Sequence, residues 1–220
     1  MRMGKSILSY LCLFLLGINF FCLTAFSNRD KKMLQLIRYH DSGQYYQDIS
    51  NTIREATYYL KFRITQNSRA HPEQKLAVVM DIDETALSNY DLLLRDSFHI
   101  TSHILADMGC AGRAIPYTLA LFNYAKEHGV AVFFITNRPL KFKDTTIESL
   151  NEAGYHQWNG IAFNTNKIPS ITRLEYYIHE RERIVQQGYD IVINLGSNDH
   201  TLKGGYSDMQ FKLPNPFYTR

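Results

Sequence analysis

Two aspartates separated by one residue, in Asp81-Ile82-Asp83-Glu84-Thr85, follow directly on the apolar run at residues 76–80. In an extended chain, a spacing of two sends both side chains to the same side. Two carboxylates at one strand tip repel unless a cation or a proton is shared between them. Such a pair supplies the parts of a nucleophile, a general acid and a metal ligand. A second apolar run, residues 130–135, ends in Thr136-Asn137-Arg138-Pro139. There a hydroxyl and the next backbone N–H groups can hold an anionic oxygen. Taken singly, each segment has an ordinary reading: Asp81 as a helix cap and Asp83 solvated, or Asn137 in a strand-to-loop turn. Their joint occurrence at two strand ends, in this order, favours chemistry.

The elements that must position these residues alternate along the chain. Short apolar runs at 76–80, 130–135, 161–163 and 191–195 are separated by helical stretches at 115–128, 145–153 and 172–187. The three helical stretches end at Gly129, Gly154 and Gly188, where helix C-caps belong. Thr145…Glu148 and Thr172…Glu175 both match a capping box. Strands that are apolar throughout, alternating with amphipathic helices, indicate an α/β fold with a parallel sheet covered on both faces. In such sheets ligands bind beyond the carboxyl ends of the strands, which is where Asp81, Asp83 and Thr136 fall. Upstream, residues 29–67 read as helical, with Ile49, Ile53, Ala56 and Leu60 at three-to-four spacing and a break at Asp41-Ser42-Gly43. His71-Pro72 then marks a boundary. This gives a helical extension at 28–70 and an α/β domain at 71–220.

The chain has 220 residues, 45% of them hydrophobic, with 24 Lys+Arg against 21 Asp+Glu and a net charge of +3. That is globular composition without the strong basic bias that a nucleic-acid polymer demands, so none is expected as a partner. Arg2 and Lys5 precede an uncharged stretch at residues 7–26, followed by Ala25-Phe26-Ser27. This reads as a signal peptide over residues 1–27, or as an uncleaved anchor, because about 20 apolar residues can also cross a bilayer. Either way the protein is exported, periplasmic or secreted, with membrane attachment only if the segment is retained. Removing that segment leaves Cys110 as the single cysteine, read as a small buried apolar residue.

Asp81-Ile82-Asp83-Glu84-Thr85-Ala86-Leu87-Ser88-Asn89-Tyr90 resembles motif I of the haloacid dehalogenase (HAD) superfamily, in the form found in class B-type acid phosphatases of subfamily IIIB. Similar matches recur at Ala114-Ile115-Pro116, residues 130–138, 151–158 and 188–192, and the closing Phe211-Lys212-Leu213-Pro214-Asn215-Pro216. The resemblance implies a HAD-like (Rossmannoid) parallel sheet with a small helical cap inserted at about 89–113. It also implies a phosphomonoesterase acting on small molecules. Asp81 would form an aspartyl-phosphate. Asp83 would protonate the leaving oxygen and then deprotonate water. Thr136 and Asn137, with neighbouring N–H groups, would hold the phosphoryl oxygens. Mg2+ would bind the Asp81 carboxylate and the Asp83 carbonyl.

Three positions depart from the family's pattern. A lysine is expected a dozen residues before Tyr189, where this chain has Tyr177; Lys167, on the same rim, is the candidate substitute, and a surface lysine is its ordinary reading. The family's fourth motif has two aspartates, at positions occupied here by Ser197 and Thr201 within Gly196-Ser197-Asn198-Asp199-His200-Thr201. Asp199 or Asn198 would then have to complete the metal shell, with a plain loop aspartate as the alternative for Asp199. Arg181, amid Glu180, Glu182 and Arg183, reads as part of a solvated face. A catalytically impaired relative that binds a phosphorylated ligand or a protein partner is therefore the second functional reading.

Overall fold

The computed structural model describes residues 30–98, 112–165 and 172–218. The signal-peptide segment, Cys110, Lys167 and the greater part of the cap insert lie outside them. The chain divides into two compact units between Gln44 and Tyr45. In the first, residues 30–41 form a helix, α1, in which His40 Nδ1 lies 2.9 Å from Asp41 Oδ1. The second carries the sheet and the candidate site.

A long helix, α2 (Gln44–Ala70), leads into the first strand and buries Ile49, Ile53, Ala56 and Leu60, the apolar stripe legible in its sequence. Strands β1 (Lys75–Met80), β4 (Ala131–Pro139), β5 (Gly160–Asn164), β6 (Tyr189–Gly196) and β7 (Met209–Lys212) form a five-stranded sheet in the order β5-β4-β1-β6-β7. Every neighbouring pair is parallel. All carboxyl ends therefore lie on one edge, with β1 in the centre. Between β1 and β4 come a two-stranded antiparallel pair, β2 (Leu87–Ser88) with β3 (Arg113–Ala114), and the short helix α3 (Tyr90–Arg95). The remaining helices are α4 (Pro116–Glu127), α5 (Lys143–Glu152), α6 (Arg173–Gln186) and α7 (Asp199–Leu202).

The strands are apolar throughout because both faces are covered, each by alternate residues. Ala77, Val79, Phe133, Ile135 and Ile191 pack on Tyr177 and Ile184 of α6. On the opposite face, Phe134 stacks with Phe122 of α4 and meets the Tyr155 ring edge-on. Trp158 packs against the same Phe134, 5.8 Å between ring centres.

Helix ends follow the sequence signals in part. Thr172 caps α6 with both halves of its capping box formed. The box at Thr145 and Glu148 does not form: α5 begins two residues earlier, at Lys143, and Thr145 Oγ1 donates instead to the Phe142 carbonyl, 3.1 Å. The 3-10 turn Leu140–Phe142 runs straight into α5, so no free N-terminus remains at residue 145. Strand β7 carries no apolar run in the sequence, because Met209 and Gln210 are exposed.

Candidate active site

Asp81 and Asp83 lie just past the end of the central strand. Asp81 is buried, and its Oδ1 accepts two hydrogen bonds, from the Ile82 N–H at 2.8 Å and from the Tyr177 hydroxyl at 3.1 Å. Its Oδ2 accepts none from the described residues. Burial, reinforced by the neighbouring Asp83 charge, pushes the Asp81 carboxyl up to about 7; the Ile82 N–H, Tyr177 and Arg138 oppose this. The same burial, with Asp81 beside it, drives the Tyr177 phenol well above its ordinary range, so Tyr177 stays a donor.

Asp83 is gripped by Arg138. Nη2 reaches Oδ1 at 2.7 Å, and Nε lies 3.2 Å from both carboxylate oxygens. The guanidinium is buried. Desolvation alone would lower its pKa, but the Asp83 carboxylate outweighs this and the net shift is upward. Asn89 Nδ2 also donates to Asp83 Oδ1, at 2.9 Å, and to the Tyr218 hydroxyl at 3.1 Å. Tyr218 is brought there by its neighbour Phe217, which is buried among Tyr45, Tyr90 and Phe98.

Glu84 lies beneath this pair with no solvent exposure and a positive φ of 51°. It accepts from the Asn89 N–H at 2.6 Å, the Tyr45 hydroxyl at 3.0 Å and Ser88 Oγ at 3.4 Å. Burial is the main reason its carboxyl is pushed up to about 7.

Thr136 is buried near the end of β4, beside β1. Its Oγ1 accepts the Arg138 N–H at 3.2 Å, and its carbonyl accepts the Tyr176 hydroxyl at 3.0 Å. The Thr136 O–H remains to donate. The Asn137 side chain is turned to β5, where its Oδ1 accepts from Asn164 Nδ2 at 2.9 Å. That bond uses only the acceptor end of the amide, so the Asn137 Nδ2 and backbone N–H groups are left as donors.

The loop after β6 closes the other side. Ser197 Oγ donates to the Asp83 carbonyl at 3.2 Å and accepts from Asn198 Nδ2 at 3.2 Å and Asn215 Nδ2 at 3.1 Å. Thr201 Oγ1 donates to the Asn198 carbonyl at 2.7 Å. Gly196 permits that turn, because a Cβ there would come within 2.1 Å of Thr201 Oγ1. Asp199 is not drawn into the cluster. Its carboxylate, 54% exposed, pairs with Lys203 at 2.8 Å and with Lys212, and these hydrogen bonds hold it down at about 2.

Arg181 is fully buried rather than part of a solvated face. Its guanidinium donates to the carbonyls of Gly205, Thr201 and Lys203 at 2.9, 2.9 and 2.5 Å. It thereby ties α6 to the loop that carries Ser197. Burial lowers its pKa to about 10.

The strand tips therefore bring together Asp81, Asp83 and Thr136, and add four residues that the sequence did not single out: Arg138, Asn89, Glu84 and Tyr218. Arg138 was legible in principle, since two clustered carboxylates require a cation. Tyr218 was not, because its approach depends on how the C-terminal segment packs.

Among the described residues no three His, Cys, Asp or Glu side chains form a metal-binding group. Magnesium, however, needs only one or two carboxylates when water and a phosphate complete its shell. The unbonded Asp81 Oδ2 meets that minimal requirement as it stands, whereas the Asp83 carbonyl would have to release a hydrogen bond from Ser197 Oγ or Thr85 Oγ1. Ser197 adds nothing, because its oxygen already accepts two amide N–H bonds.

A parallel sheet with an Asp-x-Asp at its central strand tip and a buried threonine at the neighbouring tip defines an α/β protein of the HAD type. The chain belongs to the HAD superfamily, subfamily IIIB (acid phosphatase), whose family model matches residues 23–220. It is 29% identical over 184 residues to the stem 28 kDa glycoprotein of Glycine max, covering 80% of this chain and 70% of that one. To acid phosphatase 1 of Solanum lycopersicum it is 31% identical over 149 residues, 64% of this chain and 57% of the relative. To vegetative storage protein 1 of Arabidopsis thaliana it is 26% identical over 183 residues, 80% of this chain and 66% of the relative. Among solved structures, the class C acid phosphatase of Bacillus anthracis superposes with a TM-score of 0.70 at 20% identity, covering 86% of each chain. That likeness establishes the fold.

Proposed function

We propose that this protein is an exported phosphomonoesterase that acts on small phosphate esters through an aspartyl-phosphate. The observation that carries the reading is the asymmetry of Asp81. Oδ1 is held by two donors, and Oδ2 is left unbonded at the tip of the central strand beside Thr136. Asp81 Oδ2 attacks phosphorus, and the bond from phosphorus to the leaving oxygen breaks with its electron pair going to that oxygen. Thr136 Oγ1 donates to a phosphoryl oxygen.

Asp83 delivers a proton to the leaving oxygen and later takes one from the water that hydrolyses the intermediate. Arg138 contacts both Asp83 oxygens and Asn89 contacts Oδ1, so the lone pair of Oδ2 that the guanidinium leaves free is the place for that proton. Magnesium, held by Asp81 and the Asp83 carbonyl, would offset the negative charge gathered between carboxylate and phosphate. The uncharged segment at residues 7–26 supports export, either by cleavage or as an anchor.

A second reading, a relative that binds phosphate esters without turning them over, is favoured by the same Arg138 contact and by neutral Tyr177, Ser197 and Thr201 where the family pattern is charged. The test is phosphate release from p-nitrophenyl phosphate between pH 4.5 and 7.5, with and without magnesium, beside Asp81→Asn. Release that disappears in the variant supports the enzyme. A folded wild type that releases no more than the variant refutes it.

A further inference from the structure

Helix α6 reaches both tips of the site through two consecutive tyrosines. Tyr176 donates to the Thr136 carbonyl at 3.0 Å, and Tyr177 to Asp81 Oδ1 at 3.1 Å. The rings meet edge-on, 5.3 Å between centres. Tyr177 is 2% exposed and packs in the core against the β1 and β4 strand faces, so its hydroxyl has little freedom to point elsewhere. The capping box at Thr172 starts α6 one turn before the pair and fixes the register of both rings.

On the phosphomonoesterase reading of this site, we infer that Tyr177 is the positioning residue for the nucleophile. Its hydroxyl, with the Ile82 N–H, anchors Asp81 Oδ1 and so selects Oδ2 as the attacking oxygen. A carboxylate free to rotate about its Cβ–Cγ bond presents either oxygen; one with two donors on Oδ1 presents the other. Charge-assisted bonds of this kind, O–H to carboxylate, are about twice as strong as neutral ones. Tyr176 plays the parallel part for β4, because it fixes the peptide whose side chain grips the phosphoryl group. The strut touches no substrate, so it acts on the rate and leaves binding alone.

The test uses Tyr177→Phe and Tyr177→Lys in the full chain. Phenylalanine keeps the ring and deletes only the hydroxyl. It should lower kcat about 10- to 100-fold, the range for a lost hydrogen bond to a charged group, while KM and the Kd for inorganic phosphate stay within about twofold. Lysine restores a donor to Asp81 and should regain at least a tenth of the wild-type kcat. A purely structural tyrosine predicts the reverse order, because lysine buries a charge and loses the ring. Tyr177→Phe with wild-type kcat, or Tyr177→Lys slower than Tyr177→Phe, overturns the assignment.

An inert wild type refutes the phosphatase reading by itself. The contact is then decided by a double-mutant cycle in urea unfolding between Tyr177→Phe and Asp81→Ala. Non-additive stabilities support the anchor, and additive ones overturn it.

Discussion

Glu84 offers a quantitative check on the site's electrostatics that needs no substrate. It is wholly buried, and its carboxyl moves from 4.5 in the unfolded chain to about 7 in the fold. The folded state therefore binds its proton more tightly than the unfolded state, and stability falls as pH rises between those two values. Between pH 5 and pH 8 the Glu84 share amounts to about 2.5 kcal/mol at ~1.4 kcal/mol per pH unit. Asp81, raised from 3.8 to about 7, adds a loss of similar size.

The informative variant is Glu84→Gln. The glutamine carbonyl can still accept the Asn89 N–H, and its amide can donate to Tyr45 and Ser88 hydroxyls that now act as acceptors. In urea unfolding with chelator present, the wild type should be less stable at pH 8 than at pH 5. The variant should match it at pH 5 and exceed it at pH 8 by about 2 kcal/mol, roughly 4–8 °C in Tm. An unchanged gap between pH 5 and pH 8 in Glu84→Gln would show that Glu84 is ionised at both pH values, and would refute the reasoning.

Three further expectations follow from single contacts. Thr172→Ala removes one half of the α6 capping box and should cost about 1 kcal/mol, or 2–4 °C in Tm, in a melting scan. Arg181→Leu strands the carbonyls of Thr201, Lys203 and Gly205; it should destabilise by about 3 kcal/mol or more and raise amide hydrogen exchange across residues 199–206. Ser197→Asp places a carboxylate beside the Asp83 carbonyl, with the Asn198 and Asn215 amides already aimed to bond it. Magnesium affinity, measured by calorimetry, should rise at least tenfold, about 1.4 kcal/mol. An unchanged affinity would place the cation elsewhere.

The sheet was readable because buried parallel strands carry an unbroken apolar signal, and the helices because their stripes and glycine stops are local. Gly188, with φ of 86°, is such a stop. Distance in the chain hid the long-range pairings. Arg138 is 55 residues from Asp83, and Tyr177 is 96 from Asp81. Each pairing needs the topology that lays β4 beside β1 and α6 across both. Arg181 escaped for a different reason. Its neighbours Glu180, Glu182 and Arg183 make a charged string, and a helical period of 3.6 still turns one member of any such string inward. The loop carbonyls that accept its guanidinium carry no sequence signature.

Electrostatics also accounts for Tyr177 and Ser197 standing together. A cation at position 177 would favour the ionised form of Asp81, whereas a carboxylate at 197 would crowd a third negative charge against Asp81 and Asp83. Replacing only the first would leave three clustered carboxylates with Arg138 as their single close cation among the described residues, and like charges in a buried site push protons on. With both neutral, each vacated partner is met by a hydrogen bond: Tyr177 on Asp81 Oδ1, Ser197 on the Asp83 carbonyl. The two exchanges compensate, so they should couple. Ser197→Asp alone raises the cost of ionising Asp81 when no magnesium is bound, and Tyr177→Lys added to it relieves that cost. The double variant should therefore show a flatter loss of stability from pH 5 to pH 8 than Ser197→Asp by itself. Equal slopes would mean that the two positions do not feel one another across Asp81.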